Sequence, residues 1–235
     1  MHFEVLTLFP EMIENTFMTG ITGRACLEGI VSLNTVNIRD YAVNDYGSVD
    51  DYTYGGGAGM LMMCEPVYNA FLKAKENTGN KAERVIYLTP QGERFTQRHA
   101  KEFSGEEALI LLCGHYEGID ERVLSKIVTD NISVGDYVLT GGELPALIVM
   151  DAVTRLIPGA LGNGASPEDE SFSDGLLEYP QYTRPGVWKD MEVPQILMSG
   201  DHKKVGQYRV REARKRTMER RPEMYEEYLR KRGIY

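Results

Sequence analysis

Short runs rich in valine, isoleucine and leucine alternate along this chain with longer stretches whose apolar residues recur at helical spacing. That alternation constrains the fold more than any other feature. Residues 3–8, 84–89, 107–113 and 127–134 read as strands bounded by turn formers. Residues 66–75, 96–103, 119–127 and 143–157 read as helices, the last stopped by Pro158-Gly159. Strands separated by helices predict an α/β domain with a largely parallel sheet.

Three of the strands run directly into glycine-containing loops: Leu88-Thr89-Pro90-Gln91-Gly92, Cys113-Gly114-His115-Tyr116-Glu117-Gly118, and Val134-Gly135-Asp136-Tyr137-Val138-Leu139-Thr140-Gly141-Gly142-Glu143. In open α/β sheets ligands sit beyond the carboxyl ends of strands, and glycine lets the backbone approach them closely. Each loop alone is more often an ordinary turn than a ligand site. The three together predict one cofactor pocket. The chain has neither the Gly-x-Gly-x-x-Gly dinucleotide fingerprint nor a Gly-x-x-x-x-Gly-Lys-[Ser/Thr] phosphate loop, which counts against a nicotinamide enzyme and against an NTPase. A further segment, Gly55-Gly56-Gly57-Ala58-Gly59, follows Asp51-Tyr52-Thr53-Tyr54. It fits a loop over a ligand, a loop against a second chain, or a plain surface turn.

Of the 235 residues 42% are apolar and 26% charged, the balance of a globular protein with a real core. The longest uninterrupted apolar run is Ala108 to Cys113, far short of the roughly 20 residues that cross a bilayer. The opening Met1-His2-Phe3-Glu4-Val5-Leu6 lacks the basic start and long apolar stretch of a secretory signal, so a cytoplasmic location is expected. Cys26, Cys64 and Cys113 are odd in number and widely spaced, indicating neither a disulfide framework nor a zinc site. The histidines at 2, 99, 115 and 202 show no ligand spacing, and no metal site is assigned. His115 lies in the second glycine loop, where a lone histidine is more often structural than catalytic.

Net charge is −9, which opposes a nucleic-acid partner until its distribution is considered. From Asp201 to Tyr235 there are 12 Lys+Arg against 6 Asp+Glu. Lys203, Lys204, Arg209, Arg211, Arg214, Lys215, Arg216, Arg220 and Arg221 crowd one stretch, as phosphate-neutralising segments do. Projected on a helix they fall into several groups, which also suits a solvated charged helix. Residues 159–175, short of apolar anchors and rich in turn formers and acids, suit a linker. The expected organisation is a domain over 1–160, a linker over 161–176 and a small basic helical domain over 177–235.

The run from Val134 through Gly141-Gly142-Glu143-Leu144-Pro145-Ala146 closely resembles the signature of the bacterial tRNA (guanine-N1)-methyltransferases, the TrmD family. Asp45-Tyr46-Gly47 with Asp50-Asp51, Tyr54-Gly55-Gly56-Gly57-Ala58-Gly59-Met60, residues 113–122 and Tyr179-Pro180-Gln181-Tyr182-Thr183-Arg184-Pro185 resemble further family motifs. Similarity in Phe3-Glu4-Val5-Leu6-Thr7-Leu8-Phe9-Pro10 and in Arg216-Thr217 with Arg220-Arg221-Pro222 carries it over essentially the whole chain. The resemblance implies a SPOUT-like α/β domain with a deep trefoil knot, an exception to the rule that chains avoid threading loops. It also implies a homodimer with active sites between subunits, S-adenosylmethionine as methyl donor, and N1 of guanosine 37 in the tRNA anticodon stem-loop as target. A magnesium requirement is suggested by the family, with no ligand set readable in the residues.

Carried over by motif, Tyr87, Leu88, Pro90, Gly114, Tyr116, Glu117, Val134, Gly135, Asp136, Tyr137, Val138, Leu139, Gly141, Gly142 and Pro145 surround the donor, with Glu178 nearby. The chemistry needs a base for the N1 proton, a cation for charge growing on O6, and in-line placement of the methyl group. Arg155 matches the family arginine for the oxygen. The family base is an aspartate directly before Ser-Phe; this chain has Glu170 there, with Asp169 beside it as the alternative. A non-catalytic RNA-binding protein that keeps the fold is the rival expectation, and a dinucleotide-dependent enzyme is a more distant one.

Overall fold

The computed structural model describes residues 1–44, 46–162, 170–172 and 174–234; Asp45 of the Asp-Tyr-Gly motif, Asp169 and most of the acidic linker stretch lie outside them. The chain divides into two compact units, Met1–Asn163 and Gly164–Tyr235.

The first unit carries strands β1 (His2–Thr7), β2 (Ser32–Asn37), β3 (Asp50–Tyr52), β4 (Met60–Met62), β5 (Arg84–Arg94), β6 (Ala108–Cys113) and β7 (Asp130–Ser133). Its helices are α1 (Pro10–Phe17), α2 (Gly20–Leu27), α3 (Cys64–Asn77), α4 (Gln97–Phe103), α5 (Glu121–Ile127) and α6 (Glu143–Thr154). Five strands form one sheet in the order β2-β1-β6-β5-β7, every neighbouring pair parallel. The small β3-β4 pair is antiparallel.

β6 is apolar at every position because both its faces are buried. Ala108, Ile110 and Leu112 pack among Val67, Ala70 and Ala74 of α3 and Val123, Leu124 and Ile127 of α5. Leu109, Leu111 and Cys113 join Ile13 and Phe17 of α1, Phe103 of α4 and Val149 and Val153 of α6 in a second cluster on the opposite face. Each such leucine or isoleucine contributes about 1.5–3 kcal/mol by leaving water. The result is a three-layer α/β/α arrangement, as the alternation predicts.

The structure adjusts several boundaries. The strand expected from residue 127 begins at Asp130, because Ile127 is a buried position of α5. α6 ends at Thr154 with Arg155 as its C-cap, before the Pro158-Gly159 stop. β5 runs on to Arg94, with a register break between Leu88 and Glu93 that throws residues 89–92 out of the ladder. α1, α2, β2 and the β3-β4 pair have no counterpart in the expected elements. β2 is an edge strand with one buried residue, Val36, so its apolar signal is weak.

The second unit contains a hairpin of β8 (Val187–Trp188) and β9 (Met191–Glu192), followed by α7 (His202–Arg220) and α8 (Pro222–Lys231). Leu176, Ala213 and Tyr228 form its small core, and Thr217 accepts a hydrogen bond from the Leu177 backbone N–H at 2.9 Å.

Candidate active site

A cavity of about 340 Å³ opens where β5, β6 and β7 end. Its walls are residues 87–91, 114–119, 132–135 and 137–142, with Glu121, Leu124 and Pro145. The three glycine loops singled out in the sequence therefore converge on one space, beyond the carboxyl ends of parallel strands.

Close backbone approach explains the glycines. A β-carbon on Gly92 would lie 2.4 Å from the Ile132 nitrogen, so the 89–92 loop crosses directly over β7. One on Gly142 would lie 2.6 Å from Cys113 Cα, and the Gly142 N–H instead donates to the Gly114 carbonyl at 3.0 Å. Ser133 orders the third loop: its hydroxyl donates to the Gly135 carbonyl at 3.0 Å and accepts from the Gly135 N–H at 3.2 Å. Tyr116 holds a left-handed backbone (φ 57°) in the second loop, a conformation uncommon outside glycine.

The chemical character of the walls is also defined. Burial pushes the Tyr87 phenol above its ordinary value, so it stays a neutral hydroxyl at neutral pH. Cys113, the last residue of β6, is fully buried, and burial together with the Glu143 carboxylate pushes its thiol well up, which removes it as a nucleophile. Asp120 caps α5 by accepting the Arg122 N–H at 2.9 Å, a structural duty for part of the second motif.

The glycine-rich segment 55–59 also belongs beside this wall. A β-carbon on Gly59 would meet Glu117 Cγ at 2.5 Å, the Glu117 N–H donates to the Met60 carbonyl at 3.0 Å, and the Met62 N–H donates to the Gly118 carbonyl at 3.0 Å. Tyr52 and Tyr54 beside it are exposed.

Of the expected donor residues, Tyr87, Leu88, Pro90, Gly114, Tyr116, Glu117, Val134, Gly135, Tyr137, Val138, Leu139, Gly141, Gly142 and Pro145 line the cavity. Asp136 does not; its carboxylate pairs with Arg94. Glu178 lies in the second unit, where it accepts a hydrogen bond from Gln181 at 2.5 Å. Arg155 is not a lining residue. It sits at the opposite end of α6 from Glu143, and a helix of 12 residues separates its ends by about 18 Å. Glu170 is a partly buried residue of the second unit, and Asp169 lies outside the described residues.

His115, expected from the sequence to be structural, is part of the site. It lines the cavity, and its Nε2 lies 2.8 and 2.9 Å from the two carboxylate oxygens of buried Glu143. Its place inside the second glycine loop is the one sequence signal for this, since Glu143 is 28 residues away. Among the described residues no group of three or more histidine, cysteine, aspartate or glutamate side chains is gathered as a metal set.

In the second unit, part of the basic stretch serves its own packing. Arg209 lies 4.8 Å from the Tyr179 ring centre, Arg214 donates to the Tyr228 hydroxyl at 3.3 Å, and Arg216 donates to the Glu178 carbonyl at 3.4 Å. Lys203, Lys215 and Arg220 are exposed.

A parallel sheet whose strand-end loops enclose one cavity defines a ligand-binding α/β domain of the open-sheet class. The family is given by comparison: residues 1–227 match the model of tRNA (Guanine-1)-methyltransferase TrmD, and the chain belongs to that family. A tRNA (guanine-N(1)-)-methyltransferase of Lachnospira eligens is 54% identical over 231 residues, covering 98% of each chain. Relatives of the same description from Staphylococcus epidermidis and Bacillus cereus are 52% and 50% identical, covering 97% of this chain and 92% and 93% of theirs.

Proposed function

We propose that this protein transfers a methyl group from S-adenosylmethionine to N1 of guanosine 37 in tRNA, beside the anticodon. The observation that carries this is convergence: motif residues from three separate loops line one cavity of a size suited to a small cofactor. The donor supplies an electrophilic methyl group on a sulfonium centre. Backbone groups that glycine brings close would hold it, with Tyr87, kept neutral by burial, and Glu117 among the wall residues around it.

Glu170 takes the N1 proton in this account, with Asp169 the alternative, and Arg155 stabilises charge growing on O6. The distance of Arg155 from the cavity of its own chain supports an active site completed by a second subunit. So does an exposed apolar group on adjacent helices: Phe9, Met12, Leu144 and Ile148 on and beside α1 and α6 are 39–48% exposed, in keeping with an uncovered face. The same proposal includes the deep trefoil knot at the donor site, the segment 161–176 as linker, residues 177–235 as the grip on the anticodon stem-loop, Glu178 near the donor, and a cytoplasmic location. Among the described residues no carboxylate set is gathered that would hold Mg²⁺.

Single-turnover methylation tests the assignment. Arg155→Ala and Glu170→Ala should each slow the step by about 10²–10³-fold with donor binding retained. Unchanged rates in both variants would overturn it.

A further inference from the structure

A chain of side-chain hydrogen bonds behind the cavity has no place in the proposed chemistry. It starts at Thr7, the last residue of β1, whose hydroxyl accepts the Phe9 N–H at 2.9 Å and donates to Glu143 Oε1 at 2.5 Å. Glu143, the first residue of α6, is 2% exposed. Its two oxygens receive His115 Nε2 at 2.9 and 2.8 Å. Three segments far apart in sequence thus meet on one buried carboxylate.

A carboxylate this enclosed is costly unless its oxygens are satisfied. Burial on its own would raise the Glu143 carboxyl, but the hydrogen bonds from His115 and Thr7 outweigh it and hold the group below its ordinary value. Its place in the first turn of α6 favours the anion further. The ionised form is therefore the one that the fold maintains.

The geometry around the pair ties it to the cavity. A β-carbon on Gly141 would fall 2.3 Å from His115 Cε1 and 2.6 Å from Glu143 Oε2, so the third loop passes directly over the contact. The Phe9 ring stands 5.0 Å from the imidazole on another side. His115 itself is a wall residue, whereas Glu143 and Thr7 are not. Whatever sets the imidazole therefore sets the spacing between the 114–118 and 134–142 loops.

We propose that Glu143 is a positioning residue for the donor cavity: through His115 it locks the second loop against the third, with Thr7 fixing the carboxylate, and so governs donor affinity rather than the chemical step. The proposal rests on the methyl-donor assignment. Because neither Glu143 nor Thr7 reaches the cavity, their loss acts only through the loops.

The test compares wild type with Glu143→Gln, Thr7→Val and Thr7→Ser. S-adenosylmethionine binding is measured by calorimetry, KM and kcat by methyl transfer to tRNA, and folding by thermal melting. Glu143→Gln and Thr7→Val should raise the donor Kd and KM about 10-fold, the equivalent of one charge-assisted hydrogen bond, with kcat within about 2-fold. Thr7→Ser, which keeps the hydroxyl, should restore wild-type values. Unchanged Kd in both variants, or a lowered kcat and melting point at unchanged KM, would overturn the proposal and leave only a structural role. If Glu143→Gln does not fold, the Thr7 pair decides. A wild type that binds no donor would instead overturn the donor assignment, and the proposal with it.

Discussion

Replacing Gly142 by alanine probes how tightly the cavity loops are fitted. The added carbon would lie 2.6 Å from Cys113 Cα, 3.0 Å from Cys113 Cβ and 3.0 Å from the Gly114 nitrogen. Carbon contacts settle near 3.5–4.0 Å, so the third loop must retreat by about 1 Å. Two of these obstacles are backbone atoms of β6 and its following loop, and no rotamer change relieves them. The retreat also stretches the 3.0 Å hydrogen bond from Gly142 N–H to the Gly114 carbonyl. Overpacking costs about 1–3 kcal/mol and the lost bond about 0.5–1.5 kcal/mol. If the loops bear this cost, donor affinity falls by roughly one to three orders of magnitude. Whatever share the fold bears appears as a melting point lower by about 2–4 °C per kcal/mol. Calorimetry with S-adenosylmethionine and thermal melting together capture both shares. Gly206→Ala is the control: it lies inside α7 with nothing within 4 Å, so it should leave binding unchanged and favour the helix by about 1 kcal/mol. A Gly142→Ala protein with wild-type donor affinity and melting point would refute the close-approach argument.

Three further outcomes follow from particular residues. Leu111→Ala, at a fully buried position of β6, should cost about 2–5 kcal/mol in urea denaturation. The folded-state Glu143 carboxyl lies below its ordinary 4.5, so its stabilising contribution is complete above about that pH and is lost as pH falls through the folded value. Wild type should therefore lose more stability than Glu143→Gln when melting points are followed downward from pH 4.5. Replacing the exposed Lys203, Lys215 and Arg220 together by alanine should reduce the salt dependence of tRNA binding by about 2 in the slope of log K against log salt.

The parts of this fold that were legible in the sequence are those with a strong local signal. β6 is a pure apolar run ending in glycine, and α6 begins immediately after a glycine pair, so both were readable with their loops. β2 was not: it buries one residue and pairs on one side, so selection for apolar character is weak along it. α1 escaped because Pro10–Phe17 is only eight residues and buries only Ile13 and Phe17. Of the candidate site, the donor wall was legible through glycine motifs, because close backbone approach leaves a mark in residue type. Asp136 shares that motif yet turns to Arg94, since position within a loop does not fix side-chain direction. The Thr7-Glu143-His115 contact was invisible, because a hydrogen bond between residues 136 apart has no periodicity or spacing to betray it.

Methyl transfer to a single tRNA position can be read with a labelled donor. Labelled S-adenosylmethionine is incubated with the protein and an unmodified tRNA transcript carrying guanosines at positions 36 and 37, and in parallel with a transcript changed only at position 37. Label should appear in the first transcript alone, as N1-methylguanosine. Tight binding of both transcripts with label in neither, or equal label in both, would contradict it.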